Sequence, residues 1–115
     1  MAFGEAADRW RTLLMGINVQ LRREDGEIVN EVSDPKMVLS RAAHKKFSDT
    51  RLLRYLTPWG DAIFNQAQAA DLANDISNMK NANPRDPLSD LLSEIEPLVE
   101  KLARESHLYL WFVGD

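Results

Sequence analysis

The sequence predicts a single α+β domain with a mainly antiparallel sheet and helices packed mostly on one of its faces. Three observations predict it. Residues 13–23 alternate apolar and polar before an Asp-Gly pair, which marks a strand entering a hairpin. Two later stretches carry apolar residues at helical spacing. The chain then closes on Leu108 to Val113, its longest uninterrupted apolar run. The expected element order is ββαββααβ.

The first strand has Leu13, Met15, Ile17, Val19 and Leu21 on one face and Asn18, Gln20 and Arg22 on the other. Asp25-Gly26 is a two-residue hairpin signal, because both central positions need positive φ. With that loop, Arg23 faces Ile28, Leu21 faces Asn30 and Val19 faces Val32. Ile28 and Val32 then join the apolar face of the first strand. Asp34 caps the first helix and Pro35 takes its first position, where a missing N–H costs nothing. Val38, Leu39, Ala42 and Ala43 form its stripe, and Lys45-Lys46 close it where cations suit the helix dipole.

Leu52 to Leu56 reads as a buried strand. Thr57 to Asp61 is a turn, with Pro58 presetting φ, and Ala62 to Phe64 is a short return strand. Asn65 caps a helix to about Met79 with the stripe Ala69, Leu72, Ala73, Ile76 and Met79. Asp86-Pro87 repeats the cap-then-proline device. The helix that follows carries Leu88, Leu91, Ile95, Leu98 and Leu102, in phase across Pro97, so a kinked single helix is expected. The apolar last strand would aggregate on an open edge. It belongs in the middle of the sheet or at a dimer interface.

Composition bounds the function. The 115 residues are 44% hydrophobic and 28% charged, with 14 basic against 18 acidic side chains and no cysteine. That length fits one domain. Without cysteine there is no disulfide scaffold, thiolate metal site or thiol nucleophile. No signal peptide and no membrane span is recognisable, so a cytoplasmic location is expected. The net charge of −4 hides a polarity: ten basic against eight acidic residues in 1–57 (+2), four against ten in 58–115 (−6).

The stretch LRYLTPWGDAIFNQAQ at 53–68 and the closing HLYLWFVGD at 107–115 resemble a group of small uncharacterised bacterial proteins. Their pattern is a Pro-aromatic-Gly-Asp turn, Phe-Asn and a Gln, and a terminal His-x-Tyr-Leu-x-Phe-x-Gly-Asp. Here it falls on Pro58, Trp59, Gly60, Asp61, Phe64, Asn65 and Gln68, and on His107, Tyr109, Leu110, Phe112, Gly114 and Asp115. The resemblance runs from about Gly16 onward and implies that residues 1–12 are an N-terminal extension outside the pattern. It implies the same fold and carries no assigned activity.

Several residues are candidates for a site. Asp61, Asn65 and Gln68 lie at a helix start, where unpaired N–H groups attract anions, though Asp61 would compete with one. Alternatively Asp61 and Asn65 satisfy backbone donors in the turn and cap. Trp59 at the turn tip is either an exposed binding anchor or a cover for the core edge. His44 and His107 have no partner at ligand spacing, and structural roles are expected for both. Asp86, Asp90 and Glu94 share one helix face, which could meet a basic partner or a weakly held divalent ion, or stay solvated. Residues 36–54 hold six basic side chains against Asp49 alone, net +5. Nucleic-acid binding is not expected, because the domain is acidic and no recognition motif accompanies the patch. No P-loop, dinucleotide fingerprint, nucleophile elbow or zinc motif is present.

The expected function is a non-catalytic protein-binding module, adaptor- or immunity-like, with no cofactor and no metal. It would use the acidic helix face or a sheet edge. The alternative is a small-ligand or enzymatic site around the 58–68 turn, where Asp61, Asn65, Gln68 and His107 converge. A homodimer through the C-terminal strand is a third expectation.

Overall fold

The computed structural model describes residues 16–114, apart from the side chain of His44. Leu13, Met15, the expected extension over residues 1–12 and Asp115 lie outside the described residues. The elements are β1 (Asn18–Arg23), β2 (Ile28–Val32), α1 (Val38–Lys45), β3 (Asp61–Phe64), α2 (Ala69–Ala82), α3 (Pro87–Arg104) and β4 (Leu108–Val113). Short 3-10 turns at Leu53–Tyr55 and Gln66–Gln68 precede β3 and α2. All strand pairs are antiparallel, in the order β2-β1-β4-β3. The α+β class is as expected.

β4 lies inside the sheet, paired with β1 on one edge and β3 on the other. Both of its backbone edges are therefore used within the chain. Ile17, Val19 and Leu21, together with Leu108, Leu110 and Phe112, point to the helical side and are buried. The ring of Phe64 meets Phe112 edge-on at 5.8 Å. α3 lies against β4, β1 and β2 and packs on α2. Its Leu88, Leu91, Leu92, Ile95, Leu98, Val99 and Leu102 are buried, and it runs unbroken through Pro97. Pro97 is tolerated because it sits on the exposed face of the helix.

Four local expectations are corrected. First, the hairpin loop is Glu24-Asp25-Gly26, three residues rather than two. Gly26 N–H donates to the Arg23 carbonyl at 2.9 Å, and Arg23 N–H to Glu27 at 2.9 Å. Gly26 takes φ 92°, as a residue following a type I turn must. The longer loop pairs Ile28 with Arg22, and an irregularity restores Leu21 opposite Asn30 and Val19 opposite Val32. Val29, not Ile28, therefore packs on the core, and Ile28 is 47% exposed.

Second, α1 starts at Val38, not Pro35. Its N-cap residue is Met37, not Asp34, although the Asp34 carboxylate accepts the first helical N–H groups, of Val38 at 2.9 Å and Leu39 at 2.7 Å. Pro35 and Lys36 form a turn that hands over through Met37 at φ 58°. Third, Leu52 to Leu56 is not a strand. The carboxylate of Asp75, buried on α2, accepts the N–H groups of Arg51, Leu52 and Leu53 at 3.0, 2.8 and 3.2 Å. Donors tied to a carboxylate cannot join a ladder, so the segment curls into a 3-10 turn with Leu53 and Leu56 inward. Fourth, Ala73 is exposed and Asp75 takes the inward place on α2.

Candidate functional site

The polar cluster of residues 58–68 is absorbed by the fold. Thr57 Oγ1 accepts the Trp59 N–H at 3.1 Å, and Pro58 is buried. Gly114 N–H donates to the Gly60 carbonyl at 3.1 Å and to Asp61 Oδ1 at 3.2 Å. The contact is tight: a Cβ on Gly114 would lie 2.6 Å from the Thr57 carbonyl oxygen and closer still to that of Gly60. Asp61 and the two glycines thus lock the turn onto the end of β4. Asn65 and Gln68 form a capping box, with Gln68 Oε1 accepting the Asn65 N–H at 2.9 Å.

His107 does not join them. It precedes the start of β4, whereas Asp61 pairs with Val113 near its end. At about 3.3 Å per residue the two are roughly 20 Å apart. His107 turns the chain from α3 into β4 at φ 63°, and its exposed ring meets Glu24 Oε1 at 2.8 Å. The expected convergence of Asp61, Asn65, Gln68 and His107 in one pocket is therefore corrected. Trp59 is 65% exposed at its turn, so the reading of it as a cover for the core edge does not hold.

The acidic face of α3 is only partly available. Asp86 caps the helix, accepting from Leu88 at 3.0 Å, and pairs with Lys46 at 2.6 Å. The Lys46 ammonium, and then the Leu88 N–H, hold the Asp86 carboxyl below its usual pKa. Asp90 and Glu94 are exposed and have no hydrogen-bond or ion-pair partner among the described residues. They line a groove of about 260 Å³ with the Ser33–Lys36 turn on its other side.

A different surface emerges on the face of the sheet away from the helices. Residues directly opposite across a pair share a face, so the register lays them out in rows. One row is Asp61, Val113 and Asn18. The next is Ile63, Trp111, Gln20 and Glu31. The third is Tyr109, Arg22 and Ile28. Ile63 and Ile28 are each 47% exposed, and Tyr109, Trp111 and Val113 are half-buried. The Arg22 guanidinium stacks 4.1 Å from the Trp111 ring and donates through Nε to Gln20 Oε1 at 2.8 Å. Gln20 in turn donates to Glu31 at 2.6 Å. This chain of contacts fixes the rotamers of the central side chains.

The sequence carries the signal for this face in the odd-numbered residues of β4 and in Ile63, but not the information on which sheet face the helices leave open. Among the described residues, no group of three or more His, Asp or Glu is arranged to hold a metal ion. No described helix is long and apolar enough to cross a membrane. No protein-family model, no curated protein and no solved structure matches the chain.

Proposed function

We propose that the chain is a non-catalytic protein-binding module, adaptor- or immunity-like, that docks its partner on the open face of the sheet. The observation that carries this reading is the row Ile63–Trp111 with Arg22 stacked beside it. Trp, Tyr and Arg dominate the energetics of protein interfaces, and here they stand on rigid strands, so little side-chain entropy is left to lose on binding. The polar groups that a catalytic reading would need are occupied in the turn and cap.

The size of the face suggests the kind of partner. Four strands about 4.8 Å apart and about 3.3 Å per residue span roughly 15 Å by 20 Å, on the order of 300 Å². A stable dimer takes about 800 Å² from each partner. One amphipathic helix, roughly 10 Å across, covers such a face. We therefore favour a partner presenting an apolar helix over a homodimer built on β4. The motif shared with the resembling bacterial group fits this view, because its turn residues and Gly114 anchor β3 and β4, the two strands that carry the face.

A second reading places the partner on Asp90 and Glu94, whose carboxylates are exposed and have no ion-pair partner among the described residues. Affinity capture by the wild type, by Ile63→Lys and by Asp90→Lys/Glu94→Lys separates the two. The sheet-face reading expects capture of one partner to be lost with Ile63→Lys and kept with the double variant. The opposite pattern would overturn it in favour of the acidic face.

A further inference from the structure

The basic patch of residues 36–54 has no part in the proposed docking face. Three of its six cations meet at one place in the helical layer. Arg41 and Lys45, one turn apart on α1, and Lys46 just past its end rim a cavity of about 300 Å³ closed on its other side by the first turn of α3. That volume lies at the lower end of those that hold small ligands. Its floor is apolar, made by the buried Ala42 and Leu88. Among the described residues Asp86 is the one carboxylate on the rim, and it already pairs with Lys46 at 2.6 Å. Arg41 donates to the Lys36 carbonyl at 3.0 Å, and Lys45 has no carboxylate partner among the described residues. The rim therefore keeps a net charge of about +2, with two cations unmatched.

We infer that this cavity binds a small amphipathic anion, an aryl or alkyl phosphate or carboxylate, with its apolar part on Ala42 and Leu88 and its charge between Arg41 and Lys45. Two exposed cations at the rim of an apolar floor favour a ligand that offers both a charge and a hydrophobic body. A nucleic acid fits the surroundings less well. Beyond the wall of Val38 and Pro87, which both cavities share, lies the groove of Asp90 and Glu94. A long polyanion leaving the cavity on that side meets these carboxylates, whereas a small anion does not.

The test is an amide NMR titration of the full chain with phenyl phosphate, inorganic phosphate, phenol and oligouridylate in parallel. Phenyl phosphate is expected to shift the amides of Val38 to Lys46 and of Leu88 in a saturable way, more tightly than inorganic phosphate, with phenol silent. Replacing Arg41 and Lys45 by Glu, both exposed, should leave the spectrum folded and weaken phenyl phosphate by about tenfold or more. Equal affinity for phenyl and inorganic phosphate would overturn the amphipathic site. So would an unchanged titration of the double variant, or tighter binding of oligouridylate than of phenyl phosphate.

Discussion

Asp75 shows how much one side chain can decide. It occupies a position on α2 that apolar periodicity assigns to the core, and it is buried with three backbone N–H groups on its carboxylate. No local pattern announces that contact, because its donors lie more than twenty residues away in sequence. Replacing Asp75 by Ala strands those donors and is expected to cost about 3 kcal/mol in urea unfolding. A loss well under 1 kcal/mol would contradict the role. Gly114→Ala is expected to destabilise too, since its Cβ would collide with the backbone of Thr57 and Gly60. Asp86 makes a prediction in pH. Its folded pKa lies below its unfolded one, so its contribution is present above the unfolded value and is lost as pH falls through the folded value. NMR titration should place it below the ordinary Asp range of about 4, and Lys46→Ala should move it back up.

At the scale of elements, caps and periodicity were legible and registers only partly so. Asp86 caps α3 as its Asp-Pro pair suggests, Asp34 holds the first N–H groups of α1 from three residues before its N-cap Met37, and the leucine stripe of α3 keeps its phase across Pro97. The hairpin was readable as a hairpin, but Asp25-Gly26 serves equally in a two- or three-residue loop. Both choices place Gly26 at positive φ, and only the neighbouring strands decide between them. The consequence is the exchange of Val29 for Ile28 in the core. Gly26→Ala is expected to cost about 1 kcal/mol from the forced left-handed conformation, measured by thermal unfolding. Asn in its place should recover part of the loss. The segment Leu52–Leu56 was misjudged because a dense apolar run looks the same in a strand and in a curled turn that buries alternate flanks.

Across the whole molecule, the charge polarity of the sequence becomes partly internal. Lys46 meets Asp86, and Arg51 lies 3.4 Å from Asp71, each joining the basic first half to the acidic second. These pairs are exposed and contribute little to stability. What they leave over matters more: Arg41 and Lys45 around one cavity, Asp90 and Glu94 around the next, and an aromatic face on the far side of the sheet. The candidate site was less legible than the fold. The 58–68 motif drew attention as chemistry, yet its polar groups hold the chain together, while Ile63 and Trp111 drew attention only as strand residues. Their exposure depends on helices packing on the opposite face, which no single segment encodes. The direct test of the central claim is site-specific photo-crosslinking of the full chain in a lysate of its native host. A crosslinker at position 63 is expected to trap one partner that a crosslinker at position 90 does not. The same partner trapped from position 90 and not from 63 would contradict the sheet-face account.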